Sequence, residues 1–138
     1  MSECWNERCE NDFLPLKHIH MKTEFIEAMK ARTKRMAVDT IKLYRKLPKT
    51  DEGKIVGNHM IRSATSVAAN YRASCRGRLQ AEFYSKLSIT VEECDETILW
   101  FEILEEAEIY NSADMQNIKA DAIEIVKILS TARKTLSK

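Results

Sequence analysis

The chain has 138 residues, 44% of them hydrophobic and 31% charged, with a net charge of +1 and only five glycines and prolines. This length fits one domain with room for a real core, and the composition excludes both a disordered chain and a strand-rich fold joined by glycine-rich turns. No run of 18 apolar residues is present, so no membrane-spanning helix is expected, and the polar, acidic opening Met1–Glu10 does not read as a secretory signal. The expected compartment is the cytoplasm, where thiols stay reduced.

Residues 1–19 read as a lead-in to the domain, since Pro15 is incompatible with a helix interior. Cys4, Cys9, His18 and His20 fall in or next to it. A zinc knuckle from these four would need a spacing that matches no strong zinc signature, and two histidines one residue apart strain a tetrahedral site. No metal and no other cofactor is expected.

The first helix is predicted from about His20 to Leu47. Phe25, Met29, Met36, Thr40, Leu43, Tyr44 and Leu47 recur at steps of three and four, with basic residues mostly between them. Pro48 ends it, and Thr50, Asp51 and Glu52 suit the start of another. The second helix is predicted from about Asp51 to Cys75, with Val56, Met60, Ala64, Val67, Ala68 and Tyr71 inward and many small residues that permit close packing. Gly53 and Gly57 weaken its first turns, and Gly77 is expected in a left-handed turn after it. The third helix is predicted from about Leu79 to Ile109 on Phe83, Leu87, Val91, Cys94, Ile98, Phe101 and Leu104, with Trp100 beside the stripe. After a turn at Tyr110-Asn111-Ser112, a fourth runs from about Ala113 to Leu136 on Met115, Ile118, Ala122, Ile125, Leu129 and Ala132. Four long amphipathic helices with short connections predict an all-α, up-down-up-down antiparallel four-helix bundle over residues 20–138.

The small net charge hides a division. Lys30 to Lys86 holds 14 Lys or Arg and 4 Asp or Glu, a balance of +10, whereas Val91 to Glu108 holds 8 acidic residues and no basic one. Such asymmetry points either to a polyanion-binding surface or to an electrostatic match between subunits. The candidate nucleic-acid-binding residues are Arg32, Lys34, Arg35, Lys42, Arg45 and Lys46 on the first helix, and Arg72, Arg76 and Arg78 around the end of the second. Nearby aromatics that could stack on bases are few, namely Tyr44, Tyr71 and Tyr84, which argues for phosphate contacts over sequence reading.

No enzyme is expected. The chain lacks a phosphate-binding glycine loop, a dinucleotide fingerprint and a G-x-S-x-G elbow. Glu92, Glu93, Asp95 and Glu96 form a carboxylate cluster, but no E-x-x-H occurs, so a di-iron bundle site is not assembled. Arg62, Ser66 and Asn70 recur every four residues and share a helix face. They read better as a structural polar network than as a reactive site. In that reading a buried Arg62 pairs with Glu92 or Glu93, and Ser66 and Asn70 bond neighbouring groups.

The segment Arg62-Ser63-Ala64-Thr65-Ser66-Val67-Ala68-Ala69-Asn70 resembles the signature of the four-helix-bundle proteins of the ribosomal-RNA intervening-sequence family. Leu47-Pro48, Phe83 and Glu92-Glu93 are similarly placed, and the resemblance covers about Lys34 to Lys134. It implies an up-down helical bundle assembled as a homopentamer, with an unsettled cellular role. A related branch is the accessory variability protein of diversity-generating retroelements. That relation implies RNA or DNA, and a reverse transcriptase where one is encoded alongside, as partners. The sequence departs from the pattern at Tyr71-Arg72-Ala73, where Arg72 stands in place of the usual glutamate. The alternative to nucleic-acid binding is a structural or protein-binding scaffold.

Overall fold

The computed structural model describes residues 19–136, so Cys4, Cys9 and His18 lie outside the described residues, as does the His20 side chain. Four helices follow one another: α1 (Ile19–Tyr44), α2 (Asp51–Ser74), α3 (Gln80–Glu106) and α4 (Ala113–Leu136). There is no strand among the described residues. Consecutive helices pack together and α4 returns to α1, so α1 and α3 sit on opposite corners of a four-helix bundle.

The core divides into two layers whose membership records the up-down path. One joins Ile26, Met29 and Met36 of α1 to Val67 and Tyr71 of α2, Leu87, Val91 and Cys94 of α3, and Ile125 and Leu129 of α4. The other joins Leu43 and Leu47 to Val56 and Met60, Phe101 and Leu104, and Met115. The early part of α1 thus meets the late part of α2, as antiparallel neighbours require. Each fully buried Leu, Ile, Met or Phe contributes about 1.5–3 kcal/mol relative to exposure.

The periodicity placed most of these positions, with one error of register. Phe25 is 41% exposed, and Ile26 takes the core position beside it. From Met29, a step back of three reaches Ile26 and a step back of four reaches Phe25, and the packing selects the former. Thr40 is buried as expected, because its hydroxyl donates to the Met36 carbonyl at 2.7 Å.

The helix ends differ from expectation for identifiable reasons. α1 stops at Tyr44, three residues before Leu47, in a turn where the Leu47 amide donates to the Tyr44 carbonyl at 3.1 Å. Thr50 caps α2, its hydroxyl accepting from the Gly53 amide at 3.1 Å. Glycine is needed at 53 because a Cβ there would run into the Pro48 carbonyl oxygen, and at 57 because a Cβ would lie 2.8 Å from the Tyr44 ring. Gly77 does not take the left-handed conformation; the described residue that does is Glu108, at φ 57°. It closes α3 in a Schellman turn, in which the Ile109 amide donates to the Leu104 carbonyl and the Glu108 amide to the Glu105 carbonyl. α3 therefore ends at Glu106 rather than Ile109. Ser112 receives the Met115 amide at 3.1 Å and opens α4.

Candidate nucleic-acid interface

The nine basic candidates separate into three groups. Arg32 and Lys46 are neutralised by α4. Arg32 Nε donates to Asp121 Oδ1 at 2.7 Å, and its terminal nitrogen lies 3.1 Å from Glu124. The hydrogen bond that Arg32 donates to Glu124, with the one it donates to Asp121, raises the Arg32 pKa, and the same contact holds Glu124 below the usual carboxylate range. Lys46 Nζ donates to Asp114 at 2.9 Å, which raises its pKa in turn. These partners lie 89 and 68 residues away in sequence, and no local spacing announces them.

Lys34, Arg35, Lys42 and Arg45 form the second group. All four are exposed on the side of α1 facing away from the core, around Val38, and none has a carboxylate partner among the described residues. At 1.5 Å per residue the ridge from Lys34 to Arg45 is about 16 Å long. Its one acid, Asp39, lines the groove between α1 and α4 together with Lys42, Asn117 and Ile118, and makes no ion pair with a ridge cation among the described residues. On the other flank, Lys34 lines a groove of about 280 Å³ between α1 and α2 with Lys30 and Arg72. The floor of that groove is Ala37, Thr65, Ala68 and Ala69, so the small residues of α2 leave space as well as permitting close packing. Arg72 thus joins the ridge.

Arg76 and Arg78 are the third group, and they do not cluster with Arg72 as expected. α2 ends at Ser74, so the four-residue spacing from Arg72 to Arg76 no longer keeps them on one helical face. Arg76 lines a separate groove at the α2–α3 turn with Lys86 and Glu82, and the Arg78 amide donates to Glu82 Oε2 at 2.7 Å.

Of the aromatics, Tyr71 is 2% exposed in the core and cannot stack on a base. Burial is the main reason its hydroxyl pKa is strongly raised. Tyr44 is half-buried and its hydroxyl lies 3.1 Å from Asn58 Oδ1, which leaves Tyr84 as the exposed one.

The polar face of α2 is arranged differently from the expected network. Arg62 is exposed rather than buried, and it reaches neither Glu92 nor, closely, Glu93. Its terminal nitrogen grips both oxygens of Glu96 at 3.0 and 2.9 Å, while Glu93 Oε2 lies at 3.9 Å. A long guanidinium can leave its stem on the helix and its head at the surface, which is why a polar i, i+4 spacing did not mean burial. Ser66 and Asn70 are bonded within α2: the Asn70 amide donates to the Ser66 carbonyl and hydroxyl, each at 2.9 Å. The buried polar link between α2 and α3 is instead Thr97 Oγ1 to Ser63 Oγ at 2.8 Å. Glu93 Oε2 is buried without a hydrogen-bond partner; desolvation and the adjacent Glu96 carboxylate raise the Glu93 pKa against the opposing pull of Arg62. A stacked His59–Trp100 pair, with ring centroids 4.5 Å apart, lies across the same two helices.

Among the described residues, no three His, Cys, Asp or Glu side chains are placed to hold a metal ion, and no helix is long and apolar enough to cross a membrane. Cys75 and Cys94 are buried free thiols whose pKa values burial raises, Cys94 to about 12, away from the reactive thiolate range.

The geometry defines a four-helix bundle with a solvent-facing basic ridge. The chain belongs to the 23S rRNA-intervening sequence protein family, whose sequence model matches residues 28–131. A crystal structure of a protein of unknown function from the S23 ribosomal protein family, from Bacteroides thetaiotaomicron VPI-5482, is similar over 79% of this chain and 97% of that one, at 30% identity and a TM-score of 0.70. A comparison with curated proteins found no match.

Proposed function

We propose that the protein binds RNA or DNA through the α1 ridge and the neighbouring Arg72, contacting phosphates rather than reading bases, and that it does so without catalysing a reaction. The observation that supports this is the ridge itself. Lys34, Arg35, Lys42 and Arg45 stand exposed in a row with no carboxylate partner among the described residues, whereas Arg32 and Lys46 beside them are taken up by α4 carboxylates. Such cations held on a rigid helix at steps of one to four residues suit a polyanion, and a single exposed tyrosine offers little base stacking. The family's description, which names 23S ribosomal RNA intervening sequences, makes structured RNA the first ligand to test.

The test is fluorescence anisotropy with a structured RNA and with single- and double-stranded DNA, in low and then rising salt. Binding in low salt that weakens steeply as salt rises is the expected result. The reversal K34E/R35E/K42E/R45E abolishes it, and reversal of Arg76 and Arg78 leaves most of it. Absence of binding at micromolar protein in about 50 mM salt, where screening is weak, overturns the proposal.

A further inference from the structure

Lys30 is a cation that neither the core nor the outward ridge of α1 accounts for. It stands one turn before Lys34, and its side chain is only 15% exposed. An ammonium carries three donors and loses hydration when it is covered, so a covered lysine needs close acceptors. Its ion-pair partner among the described residues is Glu27, at 3.5 Å and itself 53% exposed. That contact is long beside the roughly 2.7–2.9 Å of a charge-assisted hydrogen bond. Lys30 is thus held in place with much of its donor capacity left over.

The groove that Lys30 lines concentrates positive charge. Lys34 follows it about 6 Å along α1, and Arg72 faces both from α2. The floor is Ala37, Thr65, Ala68 and Ala69, and the Thr65 hydroxyl donates to the Ile61 carbonyl at 2.8 Å, so it is committed to its own helix. Among the described residues the lining holds these three cations and no carboxylate, and Glu27 beside Lys30 offsets one of the charges. The grooves at the α1–α4 seam and at the α2–α3 turn differ, since Asp39 and Glu82 enter their linings. At about 280 Å³ the α1–α2 groove falls just short of the range, about 300–1,000 Å³, of pockets that enclose a whole small molecule. It suits one charged group of a larger or partly exposed ligand. A net local charge near +2 matches a phosphate monoester, about −1.5 to −2 at neutral pH, better than the single charge of a phosphodiester.

We propose that the α1–α2 groove is a site for a phosphate monoester, held by Lys30, Lys34 and Arg72. The planar guanidinium of Arg72 can take two phosphate oxygens at once, and the two ammonium groups act as point charges on the others. The small apolar floor lets the group approach the helices without meeting a competing acceptor side chain. The monoester is carried either by the end of a nucleic-acid strand or by a free mononucleotide. The inference rests on the reading of Lys34 and Arg72 as phosphate contacts, and it gives that end of the surface a ligand of its own: a terminal phosphate, distinct from the internal phosphates along the ridge.

The experiment is amide-shift NMR on the full chain at constant ionic strength, with inorganic phosphate, adenosine 5′-monophosphate and, as the uncharged control, adenosine. Phosphate and the monophosphate are expected to shift the Thr65, Ala68 and Ala69 amides to saturation, and adenosine is expected to leave them in place. Lys30→Met keeps most of the stem and removes the charge. It is expected to weaken the monophosphate about tenfold, the loss of one charge-assisted contact, with the rest of the spectrum unchanged. If Lys30→Met does not fold, Arg72→Gln on the exposed wall makes the same reading. Shifts that do not saturate, adenosine acting like the monophosphate, or monophosphate binding that neither variant weakens overturns the inference. The source of the group is read by anisotropy with a 5′-phosphorylated single strand and its 5′-hydroxyl twin. For a strand end, the phosphorylated strand binds about tenfold tighter, and Lys30→Met removes that gain while leaving the 5′-hydroxyl strand as it was. Monophosphate binding without that gain assigns the site to a free nucleotide. The 5′-hydroxyl strand reads the ridge alone. Its binding without any saturable phosphate shift defeats this inference and leaves the ridge standing; its failure to bind while phosphate titrates the groove does the reverse.

Discussion

Glu93 offers a test of how the α2–α3 seam handles charge. Its Oε2 is buried, accepts no hydrogen bond, and sits beside a Glu96 carboxylate that Arg62 already grips from both oxygens. The attraction to Arg62 at 3.9 Å and the repulsion from Glu96 oppose each other, and desolvation tips the balance toward the protonated form. Glu93→Gln removes the repulsion and supplies an N–H that can donate to Glu96. One satisfied hydrogen bond in place of an orphaned acceptor stabilises by about 1 kcal/mol. For a chain of this length, with an unfolding entropy of roughly 2.1 cal/mol/K per residue, that raises the Tm by about 3 °C. The pH dependence carries the sign. Glu93 holds its proton more tightly folded than unfolded, so its presence costs stability as pH rises from the ordinary carboxylate range through its raised pKa, and the cost is fully present above that. Differential scanning calorimetry of both proteins is expected to show a larger advantage of Glu93→Gln at about pH 7.5 than at about pH 4.5, because the raised pKa makes Glu93 take up its proton earlier as pH falls. A lower Tm for the variant at neutral pH, or an equal advantage at both pH values, refutes this reasoning.

Three further outcomes follow from other positions. Gly53→Ala is expected to destabilise by about 1 kcal/mol or more in a urea melt, because overlap with the Pro48 carbonyl outweighs the gain in helix propensity. Glu108→Gly is expected to stabilise by about 0.5 kcal/mol, since it relieves a left-handed non-glycine residue and removes an anion from the C-terminal end of α3; a loss of stability contradicts the Schellman account. Asp121→Asn with Glu124→Gln frees Arg32 beside the ridge, so the logarithmic salt slope of nucleic-acid binding is expected to steepen by about 0.9, one more phosphate contact.

Most of the fold is legible in the sequence because each helix buries a stripe of period 3.6, and because few glycines and prolines leave few places for a turn. What the pattern does not carry is the choice between adjacent apolar residues, as at Phe25 and Ile26, or a helix end closed by a left-handed glutamate where Gly77 looked the better candidate. At the candidate site, the basic character of α1 is visible from composition alone. Which cations remain free is not, because Asp114, Asp121 and Glu124 arrive from the last helix, and tertiary packing alone brings them to Lys46 and Arg32. Arg62 is the converse case. Its spacing with Ser66 and Asn70 is real, but side-chain length carries its charge outward to Glu96 while the two neutral residues bond within their own helix.

The salt slope of nucleic-acid binding tests the central claim most directly. With Lys34, Arg35, Lys42, Arg45 and Arg72 all on phosphates, log K against log salt on duplex DNA is expected to fall with a slope of about −4.5, or roughly 500-fold in affinity between 50 and 200 mM. Replacing Lys34 and Lys42 by alanine flattens that slope by about 2, whereas replacing Arg76 and Arg78 leaves it unchanged. A slope that the ridge variant does not alter, or one that the Arg76 and Arg78 variant flattens equally, contradicts the placement of the interface on α1.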